Sequence, residues 1–198
     1  MLDGHPRILA DLRARLAEPQ RVYHGQAHID ALLEAFRAHR ATVRNPDAVE
    51  LAIWFHDAVY QPGAPDNERR SAALLRVLLE GAVPAPTLAA AETMILATER
   101  HAVPDGLPAA LAADVALFLD LDMAILGAAR AAYDGYAAGV AREFVPVVGE
   151  AAYRQGRAAF LRGALASGRP LFVTARARAE LERPARSNMR RELAALGR

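Results

Sequence analysis

Cysteine is absent from this chain of 198 residues. Its absence excludes disulfides, thiolate catalysis and the zinc sites that depend on cysteine. A metal ion in this protein must therefore be held by histidine, aspartate or glutamate side chains.

Long apolar segments are also missing, and none approaches the length that a membrane span requires. The first residues, MLDGHPRILADLRARLAEP, carry scattered charges in place of the continuous apolar stretch of a signal peptide. We therefore expect a soluble, cytoplasmic protein with no membrane partner.

A strong excess of charge of one sign is missing as well, because the formal net charge is only +1. This balance gives no reason to expect a nucleic-acid polymer as a partner. The charge is unevenly distributed, with eleven Arg against three Glu from Tyr153 to the end of the chain. That asymmetry can steer an anionic substrate, or it can simply solvate outer helices.

Alternating strand patterns of useful length do not occur, whereas helical periodicity is visible along most of the chain. We predict an all-α bundle that forms a single domain over residues 1–198. One predicted helix is AVELAIWFHDAVY, which runs up to the loop at Pro62, and the last is SNMRRELAAL, capped by Ser187. A homodimer is left open, because Ala-rich helices can bury an interface or pack internally.

The six histidines are few enough for their positions to be informative. His56 and Asp57 interrupt an apolar stretch, and a buried imidazole or carboxylate must be hydrogen-bonded, paired or bound to a metal. A hydrogen-bonded pair in the core is the structural alternative. His24 and His28, in YHGQAH, are four residues apart and would share a face of a continuous helix, although either could instead cap the start of that helix.

A second acidic locus lies in the apolar segment FLDLDMAILG, which contains Asp120 and Asp122. Residues two apart on a helix differ by about 200° in direction, so only one of them can face a given site. One such carboxylate, together with His28, His56 and Asp57, would form a four-ligand set. These ligand types do not distinguish among Mn, Mg, Fe, Co, Ni and Zn.

Six ordered segments resemble the HD-domain metal-dependent phosphohydrolases, and most closely a subgroup of predicted phosphohydrolases whose substrate is uncharacterised. The segments are YHGQAH, AIWFHDAVYQP, DNERRSA, ILATERH, FLDLDMAILG and RSNMRREL, so the resemblance covers most of the chain from Arg21 onward. It implies an HD-type helical bundle, with a metal-site core over about residues 20–130 and further helices over about 130–198 packed on it. It also implies that one divalent metal ion is held by four ligands, His28, His56, Asp57 and Asp122.

The resemblance further implies hydrolysis of a phosphomonoester or a nucleotide-type small molecule by a metal-activated water. The catalytic candidates are Asp57 and Glu68, with Glu68 as general base or water-orienting group. Asn67, the neighbour of Glu68 in the sequence, is a candidate for binding the substrate. The structural alternative is that Asn67 and Glu68 only begin a helix, where an acidic residue is favoured.

Three further residues are candidates for binding the substrate phosphate: His24, Arg100 and His101. For His101 the structural alternative is a favourable charge at the C-terminal end of a helix. HD enzymes with two metals generally have two more histidines between the His-Asp doublet and the last Asp. Only His101 lies in that interval here, so we expect one tightly bound metal. The alternative function is a non-catalytic helical module that binds a phosphorylated ligand or a protein partner.

Overall fold

The computed structural model describes residues 2–197, and over this range the chain forms helices and no strands. The predicted all-α fold class is therefore confirmed. No helix between residues 2 and 197 combines the length and the apolar character that crossing a membrane would need. The α-helices are α1 (Pro6–Leu16), α2 (Gln26–Arg37), α3 (Pro46–Phe55), α4 (Asn67–Leu79), α5 (Ala85–Ala97), α6 (Ala109–Met123), α7 (Arg130–Val148), α8 (Glu150–Ala166) and α9 (Ala175–Leu196).

The chain divides into two compact units, residues 1–121 and residues 122–198. The division falls inside the last turn of α6, which is one continuous helix across it. The arrangement expected from the sequence, a single domain with a core over about 20–130 and helices over about 130–198 packed on it, stays a prediction.

Helix α3 is the most deeply buried element of the N-terminal unit. Its residues are apolar except for Asp47 and Glu50, and a helix of this kind is stable only when other elements surround it. Within the same unit α2, α4 and α5 pack against it. Asn45 caps its first turn by accepting a hydrogen bond from the backbone N–H of Ala48 at 3.1 Å, and Pro46 occupies the first helical position.

The C-terminal end of α3 differs from the sequence prediction, because the helix stops at Phe55 and His56 forms its C-cap. The prediction of a helix that continues to the proline–glycine loop was wrong. The backbone N–H of Ala58 bonds to the Phe55 carbonyl at 3.0 Å, which tightens the chain into a turn. The carbonyls of Asp57 and Ala58 are taken by the guanidinium of Arg21, so they are not available to a further helical turn.

The C-terminal unit contains α7, α8 and α9 around its own apolar core. A buried ion pair joins α8 to α9, where Arg157 donates to both carboxylate oxygens of Glu192 at 2.7 and 3.0 Å. Tyr133 donates its hydroxyl to the same carboxylate at 2.5 Å. Burial first, and then this hydrogen bond to a carboxylate, raise the pKa of Tyr133 well above its usual range. The fully enclosed core residues are Leu126, Tyr133, Leu161, Phe172, Ala185 and Met189.

Helix α9 begins much earlier than the sequence suggested. Thr174 caps it by accepting a hydrogen bond from the N–H of Ala177 at 3.2 Å, and Ser187 is an exposed residue in its middle rather than a cap. Pro184 lies inside the helix and removes one backbone donor, which is normally unfavourable. Asn188 on the buried face donates to the carbonyls of Leu126 and Ala128, which lie in the segment before α7, and such packing keeps the helix continuous through the proline.

Candidate metal centre

Two imidazoles and two carboxylates approach one another around the end of α3. The Nε2 atoms of His28 and His56 are 3.3 Å apart. Oδ2 of Asp57 lies 3.1 Å from Nε2 of His56 and 3.9 Å from Nε2 of His28. His28, His56 and Asp122 each offer a ligand atom, and these three atoms lie within 4.8 Å of one another.

The two shortest of these distances, 3.1 and 3.3 Å, fit a small divalent cation. Ligand atoms about 2.1 Å from one ion are themselves roughly 3.0 to 3.4 Å apart, which matches the spacing of the two imidazole nitrogens. Both imidazoles are buried, and two nitrogen lone pairs facing each other at this distance repel unless a proton or a cation lies between them. The donor set of nitrogen and carboxylate oxygen suits several divalent metals.

His28 is positioned by the start of α2, where it lies in the first turn and points inward. The N-cap of that helix is Gly25. A Cβ atom at this position would lie 2.9 Å from the carbonyl oxygen of Leu16, so the close approach of α2 to the end of α1 requires glycine. The glycine in YHGQAH therefore helps to place the histidine that follows it.

His56 is oriented by its own helix. Its Nδ1 lies 3.0 Å from the carbonyl oxygen of Ile53, and because a carbonyl can only accept, Nδ1 carries the proton. In the neutral imidazole this leaves the lone pair on Nε2, the atom that faces His28 and Asp57. Phe118 packs edge-on against the ring with the centroids 5.8 Å apart. A fixed tautomer and a fixed ring are what metal-binding histidines usually obtain from their surroundings.

The carboxyl group of Asp57 is held in its ionised form. Burial alone would raise its pKa, but the charge that His56 carries when it is protonated, its hydrogen bond, and the charges of protonated His24 and His28 lower the pKa well below its ordinary value. A metal cation binds the ionised form of a carboxyl group, so Asp57 is in the form that can serve as a ligand beside the two imidazoles.

The three acidic residues of α6 have different surroundings. Asp122, in the last turn, contributes to the cluster, whereas Asp120 is buried and lies outside it. Asp114 is buried and accepts hydrogen bonds from the backbone N–H groups of Arg44 and Asn45 at 2.9 and 2.8 Å. Asp114 thus holds the segment that leads into α3. This structural role accounts for the presence of Asp114 in an otherwise apolar helix.

Asn67 and Glu68 begin α4, as the structural alternative proposed. The Asn67 side chain accepts from the backbone N–H of Gln61 at 3.0 Å and donates to the Gln61 carbonyl at 2.9 Å. Both ends of this buried amide therefore fix the loop before α4. Glu68 is partly buried in the first turn, and within residues 2–197 its carboxylate makes no hydrogen bond or ion pair.

His24 lies beside the cluster without joining the three-residue group. Its ring stacks on that of Tyr60 with a centroid separation of 4.3 Å. Its charge contributes to the lowered pKa of Asp57, which is consistent with a position near that carboxylate. The ring of Tyr23 lies 4.9 Å from the rings of both His24 and His28.

Arg100 and His101 are both exposed beyond the end of α5. His101 has a φ of 46°, the left-handed conformation that usually requires glycine. The N–H of Ala102 bonds to the carbonyl of Ala97 at 3.4 Å, which is the six-residue closure of a Schellman motif with His101 at its left-handed position. The structure thus gives His101 a role in ending the helix.

Replacement of His101 by glycine should therefore stabilise the protein by about 1 kcal/mol, because glycine adopts a left-handed backbone without strain. The measurement is the midpoint of urea unfolding followed by circular dichroism. The same substitution at Arg100, one residue earlier and outside the left-handed position, serves as the control and should not stabilise. Equal effects at the two positions would contradict the assignment.

Arg21 is the residue near this cluster that the sequence did not reveal. Its guanidinium donates to the backbone carbonyls of His24, Asp57 and Ala58, at 3.2, 2.5 and 3.2 Å. The only available signal was its position two residues before Tyr23, the first residue of the YHGQAH segment. An arginine is normally assigned to the surface, and carbonyl acceptors leave no trace in a sequence.

Comparisons of this chain with protein-family models, with curated proteins and with solved structures found no match.

Proposed function

We propose that this chain is an HD-type metal-dependent phosphohydrolase that cleaves a phosphomonoester or a nucleotide-type small molecule. The observation that supports it best is the approach of ligand atoms from His28, His56 and Asp122 to within 4.8 Å of one another. Asp57 adds an ionised carboxylate 3.1 Å from Nε2 of His56. The order of these residues in the chain is the one that the resemblance requires.

His28, His56, Asp57 and Asp122 would hold one divalent ion, which supplies Lewis acidity and lowers the pKa of a bound water. The buried imidazoles donate neutral nitrogen ligands from α2 and from the end of α3. Asp57 stays ionised at neutral pH, so it can hold a positive charge or accept a hydrogen bond from water.

The remaining chemistry is assigned to the other candidate side chains. Glu68, whose carboxylate has no hydrogen bond or ion pair within residues 2–197, is the proposed general base that would take the proton from the attacking water. His24 is the proposed contact to a phosphoryl oxygen, because its ring lies beside the cluster and can donate a hydrogen bond. Arg100 and His101 are exposed, so either residue would contact the part of the substrate that extends into solvent.

The test begins with the metal content of the untagged wild-type protein, measured by elemental analysis before and after incubation with Mn, Mg, Co, Ni, Fe or Zn. Activity is then assayed on a panel of phosphomonoesters and nucleotides. The variant is Asp57→Ala. The matched control is Asp105→Asn, since Asp105 is an exposed carboxylate far from this set of ligands in the sequence.

We expect about one ion per wild-type chain and hydrolysis of at least one substrate, with both lost in Asp57→Ala and retained in Asp105→Asn. Circular dichroism establishes that each variant is folded. Bound metal without turnover of any substrate would favour the alternative, a non-catalytic module that binds a phosphorylated ligand or a protein partner. A wild-type protein that takes up no metal would contradict the proposal and leave a hydrogen-bonded His-Asp core.

A further inference from the structure

We infer that Arg21 is a positioning residue of the metal centre, acting through the backbone of the two segments that carry the ligands. This inference rests on the proposed metal site. Arg21 precedes α2, and its hydrogen bonds go to Glu18 and to backbone carbonyls rather than to the imidazoles or carboxylates of the cluster. Its partners are the main chain on both sides of that cluster.

The guanidinium is enclosed, with only 1% of the side chain exposed. One terminal nitrogen donates to the carbonyl of Asp57 at 2.5 Å and to that of His24 at 3.2 Å, and the other donates to Ala58 at 3.2 Å. Nε completes the set by donating to the carboxylate of Glu18 at 3.2 Å. Each of the three guanidinium nitrogens therefore has an acceptor, which a buried cation requires.

The three carbonyls belong to two different stretches of chain. His24 precedes α2, which carries His28, whereas Asp57 and Ala58 follow α3. Arg21 therefore fixes the spacing between the backbone of one ligand-bearing segment and the backbone of the other. A ligand set must be held within about 0.5 Å of its productive geometry, and the direction of the Asp57 carboxylate depends on where its main chain is held.

A lysine could not do the same. The guanidinium is a rigid plane with five N–H donors, and here it reaches three carbonyls and one carboxylate from a single position. Its central carbon also lies 5.5 Å from the centroid of the Tyr60 ring, an arrangement that favours a delocalised cation. The ammonium group of a lysine keeps the positive charge, but it lacks the planar array of N–H donors that reaches these four acceptors.

The experiment compares Arg21→Lys with wild type for the affinity of Zn²⁺, measured by competition with a chromophoric chelator, and for the visible absorption of bound Co²⁺. The matched control is Arg186→Lys. Arg186 also pairs with a glutamate and donates to two backbone carbonyls, but it lies on α9 in the C-terminal unit. Helical circular dichroism and the thermal midpoint of the metal-free proteins report the structural effect of each change.

We expect Arg21→Lys to weaken Zn²⁺ binding by about 10- to 100-fold and to alter the Co²⁺ spectrum, as removal of outer-shell support usually does. Arg186→Lys should lower the thermal midpoint and leave both metal readouts unchanged. Equal metal readouts for wild type and folded Arg21→Lys would overturn the inference.

Two further outcomes keep this test separate from that of the proposed function. If the wild type itself binds neither ion, the proposed metal site fails before Arg21 is tested. If Arg21→Lys does not fold, Arg21→Gln, which keeps a planar donor group without the charge, takes its place. A folded Arg21→Gln protein with wild-type affinity and spectrum would likewise overturn the inference.

Discussion

Replacement of His56 by alanine is expected to weaken the binding of a divalent metal by more than about 100-fold and to abolish hydrolysis. Loss of an outer-shell partner alone costs 10- to 100-fold in metal affinity, and His56 would be a direct ligand. Its Nε2 lies 3.3 Å from that of His28 and 3.1 Å from the carboxylate of Asp57, so the substitution removes the ligand atom that lies close to both of these groups. The measurements are the dissociation constant of Zn²⁺ or Mn²⁺ and kcat/KM on the substrate identified for wild type.

The control for this prediction is His39→Ala. His39 is partly exposed at the turn after α2 and lies outside the cluster, so the same substitution there should leave metal affinity unchanged. Both proteins are compared metal-free by circular dichroism, which separates loss of a ligand from loss of the fold. A folded His56→Ala protein that binds metal as tightly as wild type would remove His56 from the ligand set.

Replacement of Asp114 by alanine is expected to lower the free energy of unfolding by about 2 to 4 kcal/mol. The carboxylate is buried and accepts two backbone hydrogen bonds, from Arg44 at 2.9 Å and from Asn45 at 2.8 Å. Hydrogen bonds to a charged group contribute about 1.5 to 3 kcal/mol each, and alanine would leave both donors without this acceptor. The loss is a large fraction of the total stability of a small protein.

Urea unfolding followed by circular dichroism measures this effect. The matched control is Asp11→Ala, which removes an exposed carboxylate that pairs with Arg15 on the surface of α1. Exposed pairs of this kind contribute about 0.3 to 0.5 kcal/mol, so the control should be close to wild type. Similar losses in the two variants would mean that the buried hydrogen bonds of Asp114 are not what stabilises the entry to α3.

The sequence could predict the all-helical fold and the region of the site because both leave local patterns. Apolar periodicity identified most helices, and the polar pair His56 and Asp57 was conspicuous within an apolar stretch. The three Asp residues of the apolar segment before Gly127 could not be separated by pattern alone. Asp114 binds main-chain donors and Asp122 approaches the imidazoles, and this difference depends on which groups the fold brings opposite each of them.

Other features were hidden because they depend on contacts with distant main-chain atoms. No local helix breaker ends α3 at Phe55, since no proline or glycine follows it before Pro62. The end is set by Arg21, more than thirty residues earlier in the chain, whose guanidinium takes the carbonyls of Asp57 and Ala58. Helix α9 is the reverse case, in which a helix continues although the local sequence favours its end. A proline normally breaks a helix, but the packing of the buried face of α9 keeps it continuous through Pro184.

The early end of α3 also gives the site an electrical polarity. The aligned peptide dipoles of a helix place about half a negative charge at its C-terminal end, which here is next to His56 and Asp57. That field favours positive charge, both the Arg21 guanidinium and a bound cation, and it repels a phosphate. An anionic substrate would therefore be drawn to this end of the helix only after the cation is in place, so metal loading would come first and substrate second.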